Sequence, residues 1–446
     1  MGEHFKYLIA TMGCQMNVYD SEVLAGYLES MGFAKATVEA DADILILNTC
    51  AVRQKAEEKV LSKLGTWRTL RENNPDMLMV LWGCMVQQEG MADHIRQRFP
   101  YIDLIGGPHV LGRFPELIEE ARIARSTVVC VEDGERKGRE FPVKRGNTLF
   151  AWVPISYGCN NYCTYCVVPY VRGPERSRPP AEIIEEVEGL SQNGYREITL
   201  LGQNVNSYGK DLDYYIDFAE LLKMVSHIPG LLRIRYMTSH PRDFTEKMVH
   251  TIAQATNICE HFHLPLQAGS NRILGLMNRG YTRESYLNLV NIIKETVPHC
   301  SITTDFIVGF PGENEMDFEM TLDMLEKVRF DASFNFVYSP REGTSAATMP
   351  DQVPATEKRR RIIALNKLQT QISQKINEQL LGTRQELLVE GKSKTDTTHF
   401  SGRTRTNKIV HFLADEEPQG SVVTVEILEA KAWTLRGKSI KDDISF

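Results

Sequence analysis

Three times within its first 84 residues the chain runs through a continuous apolar segment that ends in a cysteine: "FKYLIATMGC", "DADILILNTC" and "MLMVLWGC". Unbroken apolar runs, without the alternation of a half-exposed strand, suit strands buried on both faces. Each is followed by an amphipathic stretch of helical length, "SEVLAGYLESMGF", "AEEKVLSKLGTWRTLRENN" and "MADHIRQRF", and parallel neighbours require such crossovers. "YIDLIGG" supplies a further strand. The pattern predicts an α/β unit over residues 1–130, a doubly wound parallel sheet whose loops collect at the carboxyl edge. Cys14, Cys50 and Cys84, 36 and 34 positions apart, are therefore expected to meet there. The alternative is three structural thiols, since cysteine is often an interior residue; their common placement at strand ends argues against it.

"VEDGERKGREFPVKRG" is charged and glycine-bearing, and an exposed linker is expected over 131–148. Strands and helices then alternate again over 149–376. "AWVPISYGC", "EITLLGQN", "LLRIRYMTS", "HFHLPL", "SITTDFIVGF" and "SFNFVYS" read as strands, with helical stretches such as "PAEIIEEVEGLSQNG" between them. Six units predict a partial (β/α)6 barrel with its chemistry at the carboxyl ends of the strands. After the helical "TEKRRRIIALNKLQTQISQKINEQLLG", the short strands of "QELLVEGKS", "FSGRTRTNKIVHFLA", "GSVVTVEILEAK" and "WTLRGKSI" predict a small antiparallel, OB-like β-barrel over 377–446. Barrels of that kind often bind nucleic acid.

The first barrel strand ends in "YGCNNYCTYC", which crowds Cys159, Cys163 and Cys166 together and offers no fourth cysteine. A closed metal site takes four protein ligands. Thiolates in this number favour zinc or an iron–sulfur cluster. Zinc would need a fourth ligand such as His240, His261 or His263, brought near by the fold. A cubane on three cysteines instead leaves one iron open to an exogenous molecule. Nine cysteines in 446 residues, without a secretory leader or an apolar segment of membrane length, point to a reducing, cytoplasmic protein with no membrane association. A net charge of -7 argues against broad nonspecific nucleic-acid binding while leaving room for a local basic face.

The spacing C-x-x-x-C-x-x-C, with the aromatic Tyr165 before the last cysteine, resembles radical S-adenosylmethionine enzymes. That resemblance implies a [4Fe-4S] cluster whose open iron is chelated by the methionyl group of S-adenosylmethionine, and a 5'-deoxyadenosyl radical as the reactive species. "GCNNYCTYCVVPYVRGPERSRP", "LLGQNVNSYG", "TSHPRDF", "HLPLQAGS" and "TDFIVGFPGE", together with the upstream cysteines and terminal barrel, are similar along essentially the whole chain to MiaB-type tRNA methylthiotransferases. The resemblance implies a methylthiotransferase amino-terminal domain, a radical barrel and a TRAM domain. It further implies a second [4Fe-4S] cluster on Cys14, Cys50 and Cys84, and methylthiolation of carbon 2 of isopentenyladenosine at position 37 of tRNA. Sibling branches act on threonylcarbamoyladenosine or a ribosomal-protein aspartate. Readings from other classes are an iron–sulfur electron carrier and a zinc-stabilised RNA-binding protein. The implied partners are the anticodon stem-loop of tRNA, an electron donor such as flavodoxin or ferredoxin, and a sulfur donor, with the enzyme a monomer. A C–H bond on an adenine ring has neither acidity nor a leaving group, so a carbon radical must break it and sulfur must wait beside it.

The resemblance also assigns further residues. Gln203 and Asn204 end the second strand, where such enzymes touch the methionyl amine; Ser239, Gln267 and Ser270 follow the third and fourth strands. Asp305 lies on the fifth, and Ile307 opens the adenine-side loop "IVGFPGE". Each is expected to face the barrel mouth, or else to fix a loop by side-chain hydrogen bonds. Arg172, Arg176 and Arg178 are expected to contact phosphate or an adenine edge, against the alternative of a solvated basic turn paired with Glu175. Arg403, Arg405 and Lys408, with the basic run Lys358 to Arg361 and with Lys392 and Lys394, are expected to grip the tRNA body. Cys130, Cys259 and Cys300 are expected to be ordinary buried thiols. The terminal barrel is expected to be separable from the radical chemistry.

Overall fold

The computed structural model describes residues 5–51, 54–124, 126–132, 141–394, 396–414 and 419–440. Residues 133–140 of the expected linker and the last six residues of the expected terminal domain lie outside them.

Strands β1 (Lys6–Met12), β2 (Ala34–Lys35), β3 (Ile44–Thr49), β4 (Leu78–Gly83), β5 (Leu104–Gly106) and β6 (Val128–Cys130) form one sheet in the order β2-β1-β3-β4-β5-β6. All its pairs are parallel. Helices α1 (Gln15–Ser30) and α4 (Phe114–Ile123) cover one face; α2 (Gln54–Asn73) and α3 (Met91–Arg98) cover the other. The period of two explains the apolar runs: Ile44, Ile46, Val80 and Trp82 pack against Leu24, Leu28 and Phe114. Their neighbours Leu45, Leu47, Met79 and Leu81 pack against Val60, Leu64, Trp67 and Ile95. Each such side chain contributes about 1.5–3 kcal/mol of burial, so neither face tolerates a polar residue without a partner. The strand order reverses between β1 and β3, which opens a crevice at their carboxyl ends.

The second unit begins with β7 (Phe150–Pro154). A two-stranded ribbon, β8 (Ser156–Tyr157) and β9 (Arg176–Ser177), brackets the cysteine loop and the short helix α5 (Val168–Arg172). Then come α6 (Pro180–Gln192), β10 (Glu197–Leu201), α7 (Phe218–Ser226), β11 (Arg233–Tyr236), α8 (Glu246–Gln254), β12 (His261–His263), α9 (Asn271–Leu276), α10 (Arg283–Thr296), β13 (Ser301–Val308), α11 (Glu315–Val328), β14 (Ala332–Val337) and α12 (Ala355–Glu378). Two parallel half-sheets, β11-β10-β7 and β12-β13-β14, are joined by a bridge between Ile234 and Ile258. This is the expected partial barrel of six strands. Ile198, Leu200, Ile234, Phe262, Ile302 and Phe306 face the helices, and the alternate positions Glu197, Arg235, His263, Thr303 and Asp305 make a polar interior.

β15 (Arg384–Lys392), β16 (Phe400–Thr404), β17 (Ile409–Leu413), β18 (Val422–Ala430) and β19 (Leu435–Ile440) close as β15-β16-β17-β19-β18. The purely antiparallel barrel expected from sequence needs one correction: β17 and β19 pair parallel. A closed ring of five strands cannot alternate direction all the way round.

This terminal barrel is docked against the radical barrel. Arg233, fully buried on β11, donates to Arg403 O at 2.5 Å and to Glu386 Oε1 at 2.9 Å. Arg235 donates to Arg405 O at 3.0 Å and Thr404 O at 2.9 Å. Of the residues expected to reach phosphate, Arg405 and Lys408 are engaged in the same contact, while Arg403 stays half-buried on the terminal barrel. Arg405 forks onto Glu260 and Ile258 O, Lys408 reaches Asp331 and Asn377, and Arg403 pairs with Glu390 at 2.7 Å. On α12, Arg361 is buried on Glu313, Lys358 donates to Tyr338 O and Arg360 pairs with Glu357, while Arg359 is exposed.

Arg233→Ala is expected to destabilise the protein by about 2–4 kcal/mol, because Arg403 O and Glu386 O lose their donor inside a closed contact. The readouts are a lower Tm and faster proteolysis near Leu381 and Gly382. A variant as stable as the parent would show that the hairpin docks without this guanidinium.

Candidate functional site

The three amino-terminal cysteines converge. Cys14 stands between β1 and α1, Cys50 directly after β3, and Cys84 directly after β4. Two buried asparagines hold these turns together: Asn17 Nδ2 donates to Asn48 Oδ1 and Thr49 O, while Asn48 Nδ2 returns to Asn17 O and Ser21 Oγ at 2.9 Å. Gly83, at φ +110°, lets β4 approach so closely that a Cβ would lie 2.4 Å from Thr49 O, and Cys84 N bonds Thr49 O at 3.0 Å. A hydrogen bond from Cys50 lowers the Cys14 thiol to about 6, whereas burial raises the Cys84 thiol. Asn17 and Asn48 were not singled out from the sequence; their only signal is a polar residue within each cysteine turn.

The barrel triplet sits on the loop between β8 and α5. Gly158, at φ +73°, opens it where a Cβ would stand 2.0 Å from Pro174 O. Cys159 N donates to Gly173 O at 3.1 Å and Cys166 N to Cys163 O at 2.9 Å. The loop is pinned from the far side of the barrel, with Thr164 N on Met277 O and Asn278 Nδ2 on Tyr162 O. Burial pushes Cys159 up to about 11 and Cys166 up to about 12, and the nearness of Cys163 adds to both. Such a set is stable as thiolates only beside a compensating cation, which fits a metal group. Among the described residues no three His, Cys, Asp or Glu side chains converge as ligands of one metal ion would; a cubane, by contrast, spreads three thiolates over three irons. His261 Nε2 and His263 Nδ1 each lie within hydrogen-bond distance of Thr303 Oγ1, at 2.9 and 3.0 Å. Arg279, absent from the sequence reading, is buried against this triplet, donating to Cys163 Sγ at 3.3 Å, Pro265 O at 2.9 Å and Tyr281 OH at 3.0 Å. Its Nη1 also lies 3.4 Å from the hydroxyl of Tyr165.

At the carboxyl ends of the next strands Gln203 Oε1, Asn204 Oδ1, Ser239 Oγ and Gln267 Oε1 are buried without a hydrogen-bond partner. Each such atom costs about 1–3 kcal/mol, and their gathering at one barrel edge marks a place for a polar ligand. Asn204 is oriented by its Nδ2 on Asp243 at 2.8 Å. Gln267 is held at φ +74° by its amide on Asp305 O and its carbonyl on Ile307 N, a strained geometry of the sort found at ligand clamps. Asp305 lies on β13 with Oδ2 at 3.6 Å from His263 Nε2. Ser270 donates its hydroxyl to Asp317 Oδ1 at 2.6 Å, ahead of α9, the loop-fixing role given as its alternative. His240, considered from sequence only as a zinc ligand, has Nδ1 accepting from Arg242 N at 3.3 Å and a partnerless Nε2. Burial and then the Arg279 charge depress it to about 2, so it stays a neutral Nε2–H donor.

Two of the three arginines expected to face RNA are turned inward. Arg172 is buried between Asp20 and Cys84, and Arg178 bonds Pro154 O and Glu186. Arg176 is exposed on β9.

Residues 153–325 match the Radical SAM superfamily, residues 6–107 the Uncharacterized protein family UPF0004, and residues 378–440 the TRAM domain. A tRNA-2-methylthio-N(6)-dimethylallyladenosine synthase of Natranaerobius thermophilus is 52% identical over 446 residues, covering 100% of this chain and 99% of its own. The protein of the same name from Carboxydothermus hydrogenoformans is 53% identical over 432 residues, covering 97% and 98%. In fold, the chain is similar to the radical S-adenosylmethionine methyltransferase TsrM of Kitasatospora setae, with a TM-score of 0.56 at 14% identity over 89% of this chain and 82% of that one.

Gly158→Ala should collapse the barrel triplet, since the new Cβ meets a backbone carbonyl at a φ that costs a side chain about 1–3 kcal/mol. Iron bound after anaerobic reconstitution is expected to fall. Gly32→Ala, at φ +91° with nothing within 4 Å of the added carbon, should carry the backbone strain without the loss of iron. Equal iron in the parent and the Gly158 variant would mean that the loop accommodates the carbon.

Proposed function

The chain belongs to the tRNA-2-methylthio-N(6)-dimethylallyladenosine synthase family of radical S-adenosylmethionine enzymes, and from that premise we propose that it installs a methylthio group on carbon 2 of isopentenyladenosine at position 37 of tRNA. The observation that carries this reading is the meeting of two cysteine triplets across one short helix, beside a barrel mouth lined with partnerless oxygens. Cys159, Cys163 and Cys166 would hold the [4Fe-4S] cluster of the radical chemistry, and Cys14, Cys50 and Cys84 a second one. Bound there with S-adenosylmethionine, these groups would supply the carbon radical that a ring C–H bond demands and the sulfur that replaces the hydrogen.

The chain's own residues bind, orient and exclude water. Gln203, Asn204, Ser239 and Gln267 offer oxygens to the cofactor's amine and ribose, and the turn from Ile307 borders its adenine. His240 Nε2–H adds a fixed donor at the same edge. Asn17 and Asn48 keep the second triplet's turns rigid, and Arg279 holds Cys163 and Tyr165 in place. We assign residues 1–130 to the sulfur-presenting domain, 149–376 to the radical barrel and 377–446 to the TRAM domain. With Arg405 and Lys408 engaged inside the protein, the exposed Arg384, Lys392, Lys394, Lys431, Arg436 and Lys438 are, among the described residues, the charges we assign to the tRNA backbone. No helix of the described residues is long and apolar enough to cross a membrane; the setting we assign is the cytoplasm. There the enzyme works as a monomer with a flavodoxin- or ferredoxin-like electron donor and a donor of sulfur.

Replacing Cys159, Cys163 and Cys166 by alanine is expected to abolish 5'-deoxyadenosine formation. Replacing Cys14, Cys50 and Cys84 should leave cofactor cleavage intact while mass spectrometry of tRNA nucleosides shows no methylthiolated product. Loss of all cleavage in a folded second variant would sink this division of labour. Reversing Lys392, Lys394 and Arg436 to glutamate should weaken tRNA binding and reduce its log–log salt slope by roughly one unit per lost contact, and an unchanged slope would place the RNA surface elsewhere.

A further inference from the structure

We propose that Arg172 is a positioning residue for the amino-terminal triplet, fixing Cys84 relative to the radical loop and raising the reduction potential of the cluster held there by donating a hydrogen bond to the Cys84 sulfur. The inference rests on the reading that Cys14, Cys50 and Cys84 carry a cluster. Arg172 Nε lies 3.0 Å from Cys84 Sγ, and its Nη2 lies 2.9 Å from Asp20 Oδ2. Both partners of this ion pair are almost wholly buried, at 5% and 1% side-chain exposure.

The position of Arg172 in the chain gives the contact its meaning. Helix α5 starts two residues after Cys166, and Val167 and Val171 pack against Ala51 and Cys84. Arg172 is the last residue of α5, and the carbonyl of the next residue, Gly173, receives the amide of Cys159. One five-residue helix therefore leaves one triplet, touches the other, and returns to the first. A lysine could place a single ammonium near either Asp20 or Cys84. The planar guanidinium addresses both at once, through Nη2 and Nε, and fixes the angle between them. Asp20 balances the buried charge, which would otherwise be strongly unfavourable.

Hydrogen bonds to the ligating sulfurs are among the levers that set the potential of an iron–sulfur cluster, because they draw electron density from the thiolate. Arg279 makes the corresponding contact to Cys163 at 3.3 Å, but from inside the barrel and with carbonyl and hydroxyl partners. Arg172 alone among these two reaches from the barrel unit into the other triplet. A purely structural ion pair between the two units would use the same Asp20 contact and would not need Nε to face sulfur.

The test uses the full chain with Cys159, Cys163 and Cys166 replaced by alanine, so that only the amino-terminal cluster is present. In that background Arg172→Met combined with Asp20→Asn removes the pair as a unit and leaves the local net charge unchanged. Potentiometric titration followed by electron paramagnetic resonance should give a more negative midpoint, by a tenfold change in the reduction equilibrium, about 59 mV for one electron. In the unaltered Arg172 background, protein labelled with [15N]arginine should show a nitrogen hyperfine coupling to the reduced cluster, and the double variant should lack it. An unchanged midpoint in the double variant overturns the proposal; if that variant loads no cluster, the coupling in the Arg172 background decides alone, and its absence overturns it. Failure of the Arg172 background itself to assemble a cluster removes the second-cluster reading and the proposal with it, an outcome distinct from an assembled cluster that ignores Arg172.

Discussion

The seating of helix α5 against the cysteine-bearing edge of the amino-terminal sheet is the contact on which the site depends. Parallel strands send every following loop to one edge, so each unit can gather residues that are remote in sequence, but nothing in either sheet makes the two edges face one another. Contacts between the units do that: Val167 and Val171 against Ala51 and Cys84 and the buried Arg172–Asp20 pair at the cysteine edge, with Arg341 on Glu57, Arg145 bridging Glu22 and Glu186, and Trp152 packed against the amino-terminal core beyond it. The apolar contact supplies attraction without direction. The guanidinium supplies the direction, because a buried charge is tolerated only where its hydrogen bonds are met, and only one orientation of the two units meets them.

The terminal barrel is fixed by the same physics put to another use. Arg233 and Arg235 occupy alternate positions on β11 at the barrel floor; Arg235 Nε lies 3.1 Å from Glu197 Oε2 within the barrel, and the backbone carbonyls of residues 403–405 and 386 receive the Nη groups of both guanidiniums. Reading carbonyls rather than side chains ties the hairpin's position to its backbone path. Arg405 and Lys408 face the barrel's own carboxylates, Glu260 and Asp331.

What the sequence could disclose follows from the range of each interaction. Apolar runs and their period reveal β1, β3 and β4 because strand burial is written in consecutive residues, and the cysteines betray themselves by chemistry and by placement at strand ends. Partners of long polar side chains are not written locally. Arg172 meets Asp20 across 152 positions and Arg233 meets Arg403 across 170, so a basic turn and a basic strand look the same whether they face phosphate or a buried carboxylate. Ser270 is ambiguous for a related reason: a serine after a strand suits a ligand or a helix start equally, and the choice is made by Asp317 on α11. The parallel closure of β17 on β19 is invisible in any one strand, since it is a property of the ring.

The barrel mouth shows how an unfavourable feature becomes a functional one. Gln203 Oε1, Asn204 Oδ1 and Gln267 Oε1 are acceptors, and the assignment at Asn204 is fixed by its amide on Asp243. Three desolvated acceptors without donors destabilise the empty fold, by about 1–3 kcal/mol each, and the positive φ at Gln267 adds strain. A ligand that brings donors to that edge can meet such acceptors, and one that binds the folded state alone returns the deficit as stability. The neutral His240 Nε2–H offers the opposite polarity beside them, which suits a ligand with acceptors at one end and donors at the other. Such an arrangement discriminates in general: a molecule lacking donors leaves the oxygens buried and unpaired, and that cost weighs against it as much as any contact it gains.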